Sequence, residues 1–161
     1  MVRILGIDPG LRLTGYGCIE GPSEDPILLE AGVVRLDATT DISDRLTELD
    51  RDIGEVLERL RPSCVAVESL FAHYRHPATA IKMGHARGVL LLRIRQANLP
   101  LVELKPSEVK KSLTGHGHAS KDQMQQAIRQ VFGLETCPEP PDVADALAIA
   151  LCAAGRHPTR I

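Results

Sequence analysis

The segment Ile4-Leu5-Gly6-Ile7-Asp8-Pro9-Gly10 decides how the rest of the chain is interpreted. Its apolar residues are followed directly by Pro-Gly, a pattern that predicts a short buried strand ending in a turn. The strand therefore carries a carboxylate, Asp8, at its C-terminal end. A carboxylate at the border of an apolar interior is costly unless a cation, a basic side chain or several N–H donors compensate it. Alternatively, Asp8 caps the turn made by Pro9 and Gly10, which is a common role of Asp.

The N-terminal part of the chain predicts three consecutive strands, over Arg3–Asp8, Leu13–Glu20 and Ile27–Leu36. Short connections between apolar or alternating segments favour antiparallel neighbours. A three-stranded meander is therefore expected before the first helix.

The next segments predict a strand-helix-strand crossover. Apolar residues recur at helical spacing between residues 41 and 60, and Cys64–Glu68 is a second apolar strand that ends in a carboxylate. Such a crossover favours a parallel pair of strands. Glu68 is therefore expected beside Asp8, at the sheet edge where open α/β sheets bind ligands.

Beyond Glu68 the pattern predicts further helices and one more strand. These elements are a helix from about His76 to Asn98, a strand over Pro100–Leu104, a short helix from Pro106, and a helix from the capping box Ser120-x-x-Gln123 to about Phe132. The whole chain, residues 1–161, is predicted to form one α/β domain with a five-stranded mixed sheet flanked by helices.

Two acids mark the start of the last predicted helix. Asp142 and Asp145 are three residues apart, hence on one helix face, and the helix continues through Ala154 with almost only apolar residues. Acids at a helix N-terminus are ordinary, because the helix dipole stabilises them. A helix otherwise suited to burial that presents two acids at one end nevertheless favours a functional role.

Four acids thus lie at one end or the other of apolar elements: Asp8, Glu68, Asp142 and Asp145. Like charges that converge are tolerated mainly when hard divalent cations neutralise them, and oxygen ligands suit Mg²⁺ or Mn²⁺. Two such ions hold a phosphodiester between them in nucleases. The pattern therefore predicts a metal-dependent nuclease site.

Composition narrows the class of protein. The chain has 161 residues, 43% of them hydrophobic, which is enough for one domain with its own core. The four cysteines form no CxxC pair, so neither a zinc site nor a disulfide framework is expected. No apolar run is long enough to cross a bilayer and no signal-peptide pattern is present, so a soluble, cytoplasmic protein without membrane contacts is predicted.

Charge is distributed unevenly along the chain. Residues 71–121 carry nine Lys or Arg against two acids, whereas the remainder carries ten Lys or Arg against nineteen acids. A basic middle third on an otherwise acidic chain predicts a surface for a polyanion. A solvated helix face with uneven charges is the alternative.

Glycine and histidine mark two further segments. Gly84 and Gly88 lie one turn apart in a predicted helix, which permits close approach of another backbone, either within the domain or across a dimer axis. His116 and His118 lie in a glycine-rich segment that predicts a polar loop rather than a metal site.

Taken together, four segments resemble the RuvC family of Holliday junction resolvases. They are residues 4–10 with Thr14-Gly15-Tyr16-Gly17, Val65–Glu68 followed by Phe71, Lys82–Gly88, and Asp142–Ala150. The resemblance extends over nearly the whole chain, in the family's order. It implies a ribonuclease H-like fold and a Mg²⁺-dependent homodimer that nicks two strands of a four-way DNA junction symmetrically. The expected products carry 5′-phosphate and 3′-hydroxyl ends.

The resemblance also implies roles for individual residues. Asp8, Glu68, Asp142 and Asp145 match the family's acidic tetrad, which holds two metal ions. The residues expected to contact DNA are Phe71, Lys82, Arg87, Lys110 and Lys121. Phe71 matches an aromatic residue that stacks on or wedges between bases, although core packing is the alternative for any apolar aromatic residue. A branch-migration motor of the RuvA and RuvB type is the expected partner.

Three other functions are compatible with parts of this pattern. A related ribonuclease H-like nuclease that acts on ribosomal RNA precursors shares the strand-borne Asp. A fragment of an actin-like ATPase shares Gly-Ile-Asp-x-Gly but requires a second phosphate loop, which the sequence lacks. A junction-binding module without catalysis predicts missing acids, whereas all four are present.

Overall fold

The computed structural model describes residues 1–69 and 76–156. Its strands are β1 (Arg3–Asp8), β2 (Leu13–Glu20), β3 (Ile27–Arg35), β4 (Cys64–Glu68) and β5 (Leu101–Leu104). Its helices are α1 (Ile42–Leu60), α2 (Pro77–Gln96), α3 (Pro106–Thr114), α4 (Lys121–Val131) and α5 (Pro141–Arg156).

The strands form one mixed sheet in the order β3-β2-β1-β4-β5. β1, β2 and β3 are antiparallel neighbours, whereas β4 runs parallel to both β1 and β5. The register pairs Ile7 with Val67, so the next residues, Asp8 and Glu68, leave adjacent strands at the same edge. The predicted meander and the parallel crossover are confirmed.

Different helices cover the two faces of the sheet. Side chains alternate along β1, so Leu5 and Ile7 face α1 and α2, whereas Ile4 and Gly6 face α5. α3 and α4 pack against α5 on this same face. The nearly continuous apolar sequence of β1 follows from this burial on both faces.

Glycines allow α5 to lie directly on the sheet. A Cβ atom at Gly6 would lie 2.1 Å from the carbonyl oxygen of Ala146, and one at Gly17 would lie 2.6 Å from a methyl carbon of Leu147. Gly6 and Gly17 are also cross-strand partners. Any other residue at these positions would push α5 away from β1 and β2.

The outward face of α2 has no partner among the described residues. Ile81 and Leu92 are 63% and 58% exposed. Gly84 and Gly88 belong to the same face, and within residues 1–69 and 76–156 no atom lies within 4 Å of a Cβ built at either position. Of the two predicted roles for these glycines, packing inside the domain is therefore not found among these residues. None of the helices within the described ranges combines the length and apolarity needed to span a membrane.

Candidate active site

Asp8 and Glu68 point to the same side of the sheet. On β1, Ile4 and Gly6 face α5, and strand alternation places Asp8 on that face as well. On β4, Cys64 and Ala66 pack in the same cluster as α5. Glu68, two residues after Ala66, therefore faces the same side of the sheet. The two carboxylates therefore meet under the N-terminal end of α5.

The turn after Asp8 is held by a buried hydroxyl group. Thr14, which has no exposed surface, accepts a hydrogen bond from the Gly10 N–H at 3.2 Å and donates one to the Gly10 carbonyl oxygen at 3.1 Å. A buried hydroxyl that makes two bonds to the same residue fixes the turn. Thr14 therefore restricts the position of Asp8, a role that the sequence pattern did not reveal.

The N-terminus of α5 supplies the other two acids. Gly15, the cross-strand partner of Asp8, packs so closely that a Cβ there would lie 2.2 Å from the carbonyl oxygen of Asp142. Asp145 lies about one turn further along the helix, close enough for its charge to raise the pKa values of both Asp8 and Glu68. The structure thus brings Asp142 and Asp145 to Asp8 and Glu68, as the sequence predicts.

The carboxylates raise one another's affinity for protons. Burial, followed by the charges of Asp145, Glu68 and Asp142, raises the pKa of Asp8 to about 8. Burial and then Asp145 raise the pKa of Glu68. Burial also raises the pKa of Asp145, with a further contribution from Asp142. These shifts are the electrostatic signature of a cluster whose negative charge is not balanced by the protein.

Two lysines border the acidic cluster. Lys121, at the start of α4, lowers the pKa values of Asp8 and Asp145, and Lys110 on α3 lowers those of Glu68 and Asp145. Both effects are smaller than the opposing effect of burial. α3 and α4 thus carry positive charge to the rim of the site without neutralising it.

The cluster has the chemistry of a divalent-cation site. Four carboxylates on rigid elements, with a net negative charge, are the oxygen donors that Mg²⁺ or Mn²⁺ prefers. Within residues 1–69 and 76–156, no three His, Cys, Asp or Glu side chains already surround a common point at ligand distance. Ligation of one ion by three acids therefore requires changes of side-chain rotamer. The charge and donor type fit such an ion, although the side chains are not arranged around one.

The predicted DNA contacts have different environments. Lys82 and Lys121 are exposed and Lys110 is half-buried. Phe71 lies outside the described residues. His116 and His118 are exposed.

Arg87 requires a correction. Its side chain is only 8% exposed, and the guanidinium group donates to the carbonyl oxygen of Glu68 and to Glu103. Burial and these two contacts direct the guanidinium group into the fold, so the described residues do not present Arg87 as the exposed DNA contact predicted from the sequence.

Comparison with known proteins defines the class to which this arrangement belongs. The model of the family described as crossover junction endodeoxyribonuclease RuvC matches residues 4–153. The RuvC protein of Heliobacterium modesticaldum is 46% identical over 151 residues, which are 94% of this chain and 93% of the relative. The RuvC protein of Rhodopirellula baltica is 45% identical over 149 residues, or 92% of this chain and 84% of the relative.

Solved structures agree with the sequence comparison. Thermus thermophilus RuvC in complex with Holliday junction substrate superposes with a TM-score of 0.90 at 36% identity, covering 97% of this chain and 94% of that protein. The yeast mitochondrial Holliday junction resolvase Ydc2 has a TM-score of 0.70 at 18% identity, covering 96% and 78%, which supports the fold alone.

The mixed sheet with helices on both faces therefore has the ribonuclease H-like fold of the junction resolvases. Within that class, the chain belongs to the RuvC family of crossover junction endodeoxyribonucleases.

The pKa shift of Asp8 predicts how the stability of the metal-free protein depends on pH. The unfolded chain loses this proton near the ordinary pKa of 3.8, whereas the folded chain keeps it until about pH 8. The folded state therefore binds more protons between these values, and this carboxyl group makes the free energy of unfolding fall as the pH rises. Glu68 and Asp145, whose pKa values are also raised, act in the same direction.

We expect Asp8→Asn to stabilise the metal-free protein at about pH 8 by at least about 1 kcal/mol, since one pKa unit corresponds to about 1.4 kcal/mol. At about pH 5 the gain should be much smaller, because this pH lies only slightly above the ordinary pKa of 3.8, so most of the fall in the free energy of unfolding has not yet occurred. Thermal melts in EDTA at both pH values measure this difference. Glu55→Gln, which removes an exposed acid from α1, is the control. Equal gains for Asp8→Asn at both pH values would contradict the raised pKa.

Proposed function

We propose that this chain is an endonuclease that resolves four-way DNA junctions by paired, symmetric nicks, with a role in DNA recombination and repair. The observation that carries the proposal is the meeting of Asp8, Glu68, Asp142 and Asp145 from two strands and one helix, beside Lys110 and Lys121. Family membership supports DNA as the substrate. The junction-bound relative from Thermus thermophilus supports branched DNA as that substrate.

The proposed reaction is hydrolysis of a phosphodiester that leaves 5′-phosphate and 3′-hydroxyl ends. Mg²⁺, with Mn²⁺ as a substitute and two ions per site, would supply Lewis-acid activation of water and charge stabilisation of the leaving oxygen. Asp8, Glu68, Asp142 and Asp145 would hold these ions. Rigid placement on β1, β4 and the N-terminus of α5 would fix the acids relative to a bound scissile strand.

Lysines beside the same site would recognise the DNA backbone next to the reacting phosphate. Lys110 and Lys121 supply positive charge where a phosphodiester would otherwise face four acids. Exposed Lys82 on α2 extends this basic character. Phosphate contacts of this type position DNA without reading its sequence. Phe71 remains a predicted base contact on the basis of the resemblance.

The exposed face of α2 supports a homodimer. Ile81 and Leu92 together with two glycines form an apolar strip that a second copy of the chain would cover, and small residues allow its helix to approach closely. A two-fold dimer carries two active sites, as two symmetric nicks require. The proposal also includes a branch-migration motor of the RuvA and RuvB type as partner and a cytoplasmic location.

The function is tested by incubating the protein with a synthetic mobile four-way junction and with linear duplex of equal length, with and without Mg²⁺. We expect paired nicks in the junction alone, and only with Mg²⁺. Asp8→Asn, Glu68→Gln and Asp145→Asn should each abolish cutting because a ligand is lost, yet bind the junction nearly as well as wild type because the basic surface is kept.

The control for these variants is Asp44→Asn, an exposed acid on α1. Near wild-type cutting by the three site variants would refute the assignment of the acids. Equal cleavage of duplex and junction would indicate a general nuclease. A structured precursor RNA in the same assay tests the ribosomal RNA alternative, which its preferential cleavage would favour.

Lysine substitutions test the phosphate contacts. Lys110→Gln and Lys121→Gln should each weaken junction binding and reduce the slope of log affinity against log salt by about 1, since one phosphate contact is lost. Fluorescence anisotropy without divalent ions measures both quantities. Arg51→Gln makes the same charge change on α1, which covers the opposite sheet face, and should leave the slope unchanged. Identical slopes for all four proteins would exclude these lysines as contacts.

Substitutions in α2 test the dimer. Leu92→Asp places a charge in the apolar strip and should shift the protein from dimer to monomer, as measured by light scattering coupled to size exclusion. Leu29→Asp introduces the same charge at an exposed apolar residue of β3 and should remain dimeric. A wild-type protein with the mass of one chain at micromolar concentration would overturn the proposed dimer.

A further inference from the structure

We propose that Arg87 is a positioning residue for Glu68, and that Glu103 holds Arg87 in place for this role. The inference rests on the proposed function of the acidic cluster and adds two residues to its support. Neither side chain belongs to the cluster itself. Together they fix the end of the strand from which Glu68 projects.

Arg87 is buried in a way that few charged residues are. Among the described residues it is the only charged side chain that is buried. One terminal nitrogen donates to the carbonyl oxygen of Glu68, and the other donates to Oε2 of Glu103 at 2.5 Å. A planar guanidinium group with two fixed donor directions is suited to bridging two acceptors. Glu103 is 52% exposed, so it keeps its own contact with water while it neutralises Arg87.

Both acceptors lie near the C-terminal ends of parallel neighbours. The register pairs Glu68 with Leu104, next to Glu103 on β5. The Ser69 N–H donates to the Leu104 carbonyl oxygen at 2.7 Å, and the Ser69 hydroxyl donates to the same oxygen at 3.3 Å. Arg87 therefore adds a bond from α2 at the point where the chain leaves the sheet.

Arg87 acts from the face of the sheet opposite to the acidic cluster. Its neighbours on α2, Ala86 and Leu90, pack with Val67 in the cluster that faces α1, whereas Glu68 projects towards α5. The guanidinium group binds the backbone of Glu68 and leaves the carboxylate free. Positioning through the backbone, without contact with the reacting atoms, follows from this arrangement.

The same helix connects the proposed dimer surface to the site. Arg87 lies on the inner side of α2, and the apolar strip with Leu92 lies on its outer side. A shift of α2 would therefore reach the backbone of Glu68 through one hydrogen bond. Supporting groups of this kind typically change metal affinity or activity about 10- to 100-fold when they are replaced.

The test compares Arg87→Lys and Glu103→Gln with wild type. Both variants keep a polar group at the bridge, so they are better suited than Arg87→Ala to folding without a buried gap. Arg93→Gln is the matched control, because it breaks another ion pair of α2, with Asp50 at 3.5 Å, away from Glu68. Measurements are the Mg²⁺-dependent rise in Tm without DNA, the cleavage rate at saturating junction, the Mg²⁺ concentration for half-maximal rate, and junction Kd without divalent ions.

We expect both bridge variants to cut about 10- to 100-fold more slowly and to need several-fold more Mg²⁺, with junction Kd changed less than about twofold. The Mg²⁺-dependent rise in Tm should shrink in both variants and persist in Arg93→Gln. A lower Tm with unchanged Mg²⁺ dependence would overturn the proposal and leave Arg87 a packing residue. Weaker junction binding with a reduced salt slope would overturn it in favour of a DNA contact.

The proposed function and the positioning role of Arg87 can be refuted independently of each other. If wild-type protein does not cut junctions, the proposed function is refuted, whereas the Tm measurement still decides whether Arg87 and Glu103 govern Mg²⁺ binding. If wild-type protein cuts and the variants respond to Mg²⁺ as wild type does, the function stands and the positioning role does not.

Discussion

The partial burial of four neighbouring carboxylates, reinforced by their mutual repulsion, is the constraint on which the rest of the structure depends. Burial and like charges together raise the pKa of Asp8 to about 8, so the folded chain binds a proton there that an exposed Asp would release. Each pKa unit corresponds to about 1.4 kcal/mol. Each fully buried Leu or Ile contributes about 1.5–3 kcal/mol, so a few aliphatic side chains offset the acids. The apolar character of β1, β4 and α5 is what makes the cluster tolerable.

The fold sets the spacing of the acids through rigid elements rather than loops. Asp8 and Glu68 end parallel neighbours in the same sheet, and Asp142 and Asp145 begin a helix packed across those strands. The pairs can therefore separate only if α5 moves away from the sheet. Such rigidity suits hydrolysis in which positioning and charge stabilisation do most of the catalysis.

Much of this arrangement could be predicted because the decisive signals are local. The apolar run before Asp8, the change to helical spacing after residue 41, and the acids that open α5 each specify an element and its end. The parallel crossover then brings Glu68 to Asp8, as the register confirms. The tetrad follows from these elements without knowledge of any contact.

Arg87 could not be predicted for an equally physical reason. α2 carries apolar residues on both its inner and its outer side, so its sequence does not reveal which side faces the sheet. An Arg in a basic segment is expected in solvent, and only the tertiary structure shows that Glu68 and Glu103 accept its hydrogen bonds. The role of Thr14 could not be predicted for a similar reason, because its hydrogen bonds to Gly10 depend on the return of the chain along β2.

The distance between the sheet and α5 is fixed by three glycines, Gly6, Gly15 and Gly17. With hydrogen in place of a side chain, they let the backbone of α5 rest on β1 and β2, and one added carbon atom at Gly15 would overlap the carbonyl of Asp142. The gap across which the acids face one another is therefore determined by three residues that have no functional group. Replacing the hydrogen of one of these glycines by a side chain would therefore change the distances between the acids. That change would disturb the chemistry of the site as directly as the loss of a carboxylate.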